Sequence, residues 1–243
     1  MKIAAFIPAR YGATRFPAKL MQSLGNKTVI RQTYDNTVAT GLFDEVVVVT
    51  DSDIIFNEIV QHGGKAIMSK KEHESGSDRI AEAVELIDTD IVLNVQGDEP
   101  FVDKETLQRL LASFSNPEVQ VASVMKSFED LSLIQNPNYV KVVVDKQMRS
   151  LLFSRSVIPF HREQSFQPTY YEHIGIYAFR KQTLLAFTAW EMTPLEQAEK
   201  IECLRYLENG ISLQMVCTQA VSVKIDVPED LPRAEAFLQS LNT

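Results

Sequence analysis

Three cations stand close together near the start of this 243-residue chain: Arg10, Arg15 and Lys19, within Pro8-Ala9-Arg10-Tyr11-Gly12-Ala13-Thr14-Arg15-Phe16-Pro17-Ala18-Lys19. No acid precedes Asp35, yet the whole chain has a net charge of -8. One sign of charge therefore fills one loop of an acidic protein. Solvated surface charges usually mix signs, so the loop reads as a site for a polyanion. Phosphates suit it, because Arg offers a planar fork and Lys a compact charge. Two prolines stiffen the loop and reduce the chain entropy lost on binding. The pattern is neither GxxxxGK[ST] nor GxGxxG, so the usual phosphate-binding glycine loops are excluded.

Two further stretches carry chemistry. In Ser75-Gly76-Ser77 small residues open a helix-like segment, where backbone N–H groups can approach an anion. The same serines are also good helix caps, and the residues alone leave both uses open. Asp78 and Arg79 read as a helix-start charge and an ion pair. Asp98 follows the strongly apolar run Asp90 to Val95, which places it at the carboxyl edge of a sheet. A hard oxygen there suits magnesium beside a phosphate ligand, and an acid there without metal reads as a turn or cap residue. Glu99 is the weaker ligand candidate, because Pro100 after it suggests a turn role.

Several segments together resemble the 3-deoxy-manno-octulosonate (KDO) cytidylyltransferases. They are the loop from Pro8 to Lys19, His73-Glu74-Ser75-Gly76-Ser77-Asp78-Arg79, Asn94-Val95-Gln96-Gly97-Asp98-Glu99-Pro100, Phe153-Ser154-Arg155, His173-Ile174-Gly175-Ile176-Tyr177 and Asp226-Val227-Pro228-Glu229-Asp230. The resemblance implies attack of a sugar hydroxyl on the α-phosphorus of CTP, with pyrophosphate leaving and the product feeding lipopolysaccharide assembly. It implies CTP contacts from Pro8, Ala9, Arg10, Arg15, Lys19, Ser75, Gly76, Ser77 and Gln96. Arg10 and Lys19 would meet charge building on the leaving group. Asp98 and Asp226 would share Mg2+, whose Lewis acidity lowers the pKa of the attacking hydroxyl.

The resemblance assigns the acidic sugar to Arg155, His173, Tyr177 and Glu202, with Arg155 on its carboxylate. His173 and Tyr177 are four apart, so a strand would put them on one face. The family pattern Glu-Gln-Leu-Arg stands here as Glu202-Cys203-Leu204-Arg205, which removes an amide from that region. Another acidic sugar as acceptor, such as an amino-KDO or a sialic acid, and a non-catalytic nucleotide-binding relative are the alternatives. Retention of Arg10, Arg15, Lys19, Asp98 and Asp226 together speaks against the second.

The elements that must position these residues alternate β-branched runs with helical spacing, which predicts βαβ units and a mainly parallel sheet. The expected strands are Lys2 to Ile7, Glu45 to Thr50, Lys65 to Met68, Asp90 to Val95, Val119 to Met125, Val140 to Val144, Leu151 to Phe153, Glu172 to Phe179, Ile211 to Val216 and Val221 to Ile225. Helices are expected over Thr28 to Thr40, from Asp51 to Gly63, over Gly76 to Ile87, Asp103 to Phe114 and Pro194 to Glu208, and from Lys181 and Pro228. The fold class is α/β: a three-layer, Rossmann-like sheet of the nucleotide-diphospho-sugar transferase type. It forms a single domain over 1–243 with a β-rich excursion at about 128–170. In the resembled family that excursion carries dimer contacts, and the open strand around Val142 agrees with a homodimer.

Composition is that of an ordinary globular chain. No apolar run reaches a membrane span, and the acidic balance excludes a nucleic-acid groove. Cys203 and Cys217 are too few for a disulfide framework, which suits a cytoplasmic protein.

Overall fold

The computed structural model describes residues 1–12, 16–71, 73, 75–163, 165–221 and 223–241. In chain order its regular elements begin with β1 (Ile3–Ala9), β2 (Ser23–Leu24), β3 (Lys27–Thr28), α1 (Val29–Ala39), β4 (Glu45–Thr50), α2 (Asp53–Gln61), β5 (Ala66–Met68), α3 (Gly76–Val84), β6 (Ile91–Asn94) and α4 (Lys104–Ala112). They continue with β7 (Val121–Ser127), β8 (Lys141–Val144), β9 (Ser150–Ser154), β10 (Tyr171–Arg180), α5 (Lys181–Ala189), α6 (Pro194–Glu199), α7 (Leu204–Glu208), β11 (Leu213–Cys217) and α8 (Asp230–Leu241). The chain divides into two compact units, one of Met1–Lys104 with Ala220–Thr243 and one of Glu105–Gln219.

In the first unit β1 lies between β4 and β6, β5 flanks β4, and these four strands pair in parallel, while β2 and β3 form a separate antiparallel pair. Parallel strands covered on both faces need apolar side chains throughout, which is what Ala4 to Ile7, Val46 to Val49 and Ile91 to Leu93 supply. The crossover helix α1 starts where the Thr28 hydroxyl accepts the Arg31 N–H at 3.2 Å. Gly41, at φ 66°, ends that turn in the left-handed conformation expected of a glycine there. The four strands β1, β4, β5 and β6 thus point their carboxyl ends the same way, and β1 delivers the cation loop from among them.

The second unit is mixed. β7 pairs parallel with β11 and antiparallel with β10, and β8 pairs antiparallel with both β10 and β9. The segment expected as an excursion, about 128–170, lies within this unit and contains β8 and β9. The open strand expected around Val142 is instead paired on both sides, and its Lys141 is fully buried. Its ammonium donates to the carbonyls of Tyr139 at 2.9 Å, Asn136 at 3.4 Å and Arg155. Burial pulls its pKa below the usual lysine value.

Three further sequence expectations change. The single helix over Pro194 to Glu208 is two helices, α6 and α7, broken where Lys200 turns left-handed at φ 53°. Side chains distant in sequence hold that break. The Glu199 carboxylate accepts from the Ser154 hydroxyl (2.6 Å) and the Arg155 N–H (2.9 Å), and the Arg155 guanidinium reaches the Glu199 and Lys200 carbonyls. The described residues of Val221 to Ile225 form no strand; Ile225 instead donates its N–H to the Asp98 carbonyl at 3.0 Å. The last helix begins at Asp230, two residues beyond Pro228, because Asp230 turns its carboxylate back onto the preceding loop.

Candidate active site

A cleft of about 280 Å³ opens at the carboxyl edge of the first unit's sheet, a small-molecule dimension. Pro8, Ala9, Arg10 and Lys19 line it from the cation loop, Ser75 and Gly76 from the start of α3, and Gln96 and Asp98 from the turn after β6. Close backbone approach builds this junction. A Cβ on Gly97 would sit 3.1 Å from the Pro8 carbonyl oxygen, and one on Gly76 would sit 3.3 Å from Pro8 Cγ. The Thr33 hydroxyl, on α1, donates to the Gly97 carbonyl at 2.9 Å and fixes the turn against the helix.

Each loop residue has a distinct environment. Arg10 is exposed and forms no ion pair with any described residue. Arg15 lies outside the described residues. Ser75 caps α3: its hydroxyl accepts the Asp78 N–H at 3.1 Å and donates to the Asp78 carboxylate at 2.9 Å. Ser77 is buried on the inner side of α3. Arg79 is buried in the cleft wall, where its guanidinium meets Asp51 at 2.6 Å and donates to the Ala9 carbonyl at 3.4 Å. The ion pair expected there thus also holds the end of β1. His73, another lining residue, pairs with Glu82 at 2.5 Å. Sequence reasoning had no role for His73, although the motif containing it was the available signal.

Lys19 joins the two candidate metal carboxylates. Its ammonium lies 2.5 Å from Asp98 Oδ2 and 3.2 Å from Asp226 Oδ1, and its side chain is only 14% exposed. Lys224 meets the other Asp226 oxygen at 3.2 Å. Burial pushes the Asp226 carboxyl up, but Lys224 and then Lys19 outweigh it and hold the group below the usual carboxylate range. Burial likewise pulls the Lys224 ammonium down, and Asp98, Asp226 and Glu99 more than reverse this. Glu99 is pushed up to about 7 by burial and by its acidic neighbour Asp98. The sequence pattern did not reveal this environment for Glu99. Neither did it reveal Asp230, whose carboxylate accepts the N–H groups of Asp226 at 2.8 Å and Val227 at 3.0 Å.

The donor set suits a hard divalent cation. Two carboxylates converge on one positive atom, which is the number magnesium commonly takes from protein when phosphate and water oxygens complete its shell. Among the described residues no cluster of three or more His, Cys, Asp or Glu side chains could hold a metal without such help.

The residues expected to bind the sugar lie in the second unit. On β10 the register against β7 shifts between Ile174 and Tyr177, an irregularity that keeps His173 and Tyr177 neighbours, with ring centroids 5.4 Å apart. The Ser123 hydroxyl fills the bulge, donating to the Ile176 carbonyl at 2.8 Å and lying 3.0 Å from His173 Nε2. Burial lowers the His173 pKa to about 4, so its ring is neutral near pH 7. Burial pushes the Tyr177 hydroxyl and the Cys203 thiol up, and the two share a hydrogen bond. Glu202 raises both further. His173, Tyr177, Glu202 and Cys203 thus form one cluster. Arg155 is used differently: its guanidinium donates to the carbonyls of Glu199 (2.6 Å), Pro137 (2.8 Å) and Lys200 (3.2 Å).

Comparison with known proteins agrees with this architecture. A family model described as Cytidylyltransferase matches residues 4–217. A 3-deoxy-manno-octulosonate cytidylyltransferase of Flavobacterium johnsoniae is 58% identical, over 99% of this chain and 100% of that protein. One of Bacteroides thetaiotaomicron is 42% identical, over 99% of each. The solved structure of a CMP:2-keto-3-deoxy-manno-octonic acid synthetase complexed with CTP superposes with a TM-score of 0.94 at 33% identity, covering 99% of this chain and 100% of that one. A 4-diphosphocytidyl-2C-methyl-D-erythritol synthase structure from Anaerococcus prevotii shares the fold, with a TM-score of 0.66 at 18% identity. The α/β, three-layer, Rossmann-like expectation therefore holds. With its cation loop, its carboxylate edge and these full-length likenesses, the chain belongs to the 3-deoxy-manno-octulosonate cytidylyltransferase family.

Proposed function

We propose that this protein transfers the cytidylyl group of CTP to KDO, giving CMP-KDO for lipopolysaccharide assembly and releasing pyrophosphate. The observation that carries the reading is the convergence of Lys19, Asp98 and Asp226 at a cleft whose wall supplies Arg10 and the start of α3. Arg10 and Lys19 bind the β- and γ-phosphates and meet the charge that grows on the leaving pyrophosphate. The N-terminal end of α3, opened by Ser75 and Gly76, adds backbone donors and a positive dipole end. Asp98 and Asp226 hold Mg2+, which when bound would polarise the α-phosphate and acidify the sugar hydroxyl. The sugar meets His173, Tyr177 and Glu202. His173, neutral and bonded to Ser123, serves as a hydrogen-bonding group rather than a cation.

A homodimer and a cytoplasmic location complete the reading. Phe160, Phe166 and Leu151 are 84%, 67% and 61% exposed in the second unit, apolar surface that a second copy would cover. Both cysteines are free, as a reducing compartment allows. Light scattering at micromolar concentration should give twice the 27.5 kDa chain mass; a fully active monomer would remove the dimer.

Pyrophosphate release from CTP with Mg2+ across a panel of acidic sugars tests the activity. KDO should give the highest kcat/KM, and a KDO analogue lacking the carboxylate should give none. A sialic acid used better than KDO would leave the cytidylyl transfer and replace the acceptor.

A further inference from the structure

Lys19 stands where a phosphate-binding lysine would not be expected to rest. Its ammonium is engaged by both carboxylates of the proposed metal site, at 2.5 Å and 3.2 Å, rather than extended towards solvent. The side chain is largely buried, so the pairing is shielded from water and salt. Lys224 sits on the remaining Asp226 oxygen. The two carboxylates are thus neutralised by the protein's own cations before any ligand arrives.

We infer that Lys19 is a built-in competitor for the divalent cation, so that metal enters this site together with the nucleotide and not before it. The inference rests on the reading of Asp98 and Asp226 as metal ligands. Free Mg2+ approaching the pair meets an ammonium already bonded to both residues, and displacing that ammonium without a new partner leaves a largely buried charge unpaired. A triphosphate changes the balance. It brings oxygen ligands for the metal and offers Lys19 a second anion in the same cleft, beside Arg10. Lys19 then moves from carboxylate to phosphate as the metal takes its place. The same residue opposes metal at the carboxylates and then binds the leaving group, which couples metal loading to nucleotide loading.

Mn2+ binding, read by electron paramagnetic resonance of the free ion, tests this without turnover. Wild-type protein should bind Mn2+ at least tenfold more weakly alone than in the presence of CTP. Lys19→Met, and Lys19→Gln as a second variant that keeps a polar chain, should bind Mn2+ without nucleotide at least tenfold more tightly than wild type. Asp98→Asn placed on either variant should abolish that gain. Thermal melts establish that the variants are folded, and the wild-type comparison needs no variant at all. Wild-type protein that takes up Mn2+ equally well with and without CTP overturns the inference. So do folded Lys19 variants with unchanged nucleotide-free affinity, or a gain that survives Asp98→Asn. Wild-type protein that retains no Mn2+ even with CTP defeats the metal reading itself, and this inference falls with it.

Discussion

Asp230→Ala should impair the reaction although Asp230 is not itself placed on a substrate. Its carboxylate accepts two consecutive N–H groups, at 2.8 Å from Asp226 and 3.0 Å from Val227. It is also the first residue of α8, where a negative charge complements the helix dipole. Hydrogen bonds to a charged acceptor are worth roughly 1.5–3 kcal/mol in favourable settings. Asp230 is only half-buried, so the two bonds and the dipole together should amount to about 2–3 kcal/mol. Part of this appears as stability and part as the placement of Asp226. A loss of about 1.4–2.7 kcal/mol in transition-state stabilisation corresponds to a ten- to hundredfold fall in kcat/KM. The assay is pyrophosphate release as a function of Mg2+ at saturating CTP and sugar, beside a thermal melt. Asp230→Ala should raise the Mg2+ concentration for half-maximal rate, and Asp230→Asn, which keeps an oxygen acceptor, should recover most of the loss. A variant with lowered Tm but unchanged kcat and Mg2+ dependence would reduce Asp230 to a helix cap and refute its role in placing Asp226.

Other expectations follow from the same geometry. Asp98→Asn and Asp226→Asn should each nearly abolish turnover in a folded protein, and the double variant should be little worse than either, as residues acting as a unit are not additive; strict additivity in the rate assay would separate them. Burial depresses the His173 pKa to about 4. Its stabilising contribution is therefore complete above the unfolded value near 6.5 and is lost as pH falls from there towards 4. Chemical denaturation across that window should show His173→Gln losing part of the wild-type pH dependence, and identical profiles would contradict the burial argument. Arg155→Ala should lower Tm by several degrees, because three carbonyl partners lose their donor. A variant with unchanged Tm and a raised KM for the sugar alone would return Arg155 to the sugar carboxylate. Cys203→Gln should change discrimination among acidic sugars and leave CTP kinetics nearly untouched, because its thiol bonds Tyr177 in the second unit.

The legible parts of this chain were those governed by local rules. Short, β-branched apolar runs such as Val46 to Val49 read as strands covered on both faces, and Thr28 and Gly41 bracket α1 by capping chemistry. The cation loop was legible because one sign of charge is unusual in an acidic chain, and Arg10 and Lys19 do line the cleft. What escaped depends on partners far away in sequence. The break at Lys200 is set by Ser154 and Arg155, the burial of Lys141 by carbonyls that only tertiary structure brings to it, and the loss of strand character before Asp226 by Ile225 bonding Asp98. Arg79 reads as one half of an ion pair, but the sequence does not show that it lies buried between Asp51 and the end of β1. No periodicity in the sequence encodes such pairings, so the bridging of two carboxylates by Lys19 was equally hidden.

The segment 220–243 returns to the first unit after the second has been traversed, and this gives the enzyme a temporal property. Lys19 and Asp226 stand 207 positions apart. During synthesis the cation loop, the α3 opening and Asp98 emerge early, but their partner carboxylate emerges only after the entire second unit. α8 then fastens the segment at separate points: Glu235 accepts the Gly25 N–H at 2.7 Å, and the Phe237 ring meets Phe101 at 4.8 Å. A nascent chain therefore carries a cation loop whose lysine lacks one of its two carboxylate partners. A chain that stops before Asp226 lacks the carboxylate that Lys19 joins to Asp98, so this part of the site is the last to be completed in the order of synthesis.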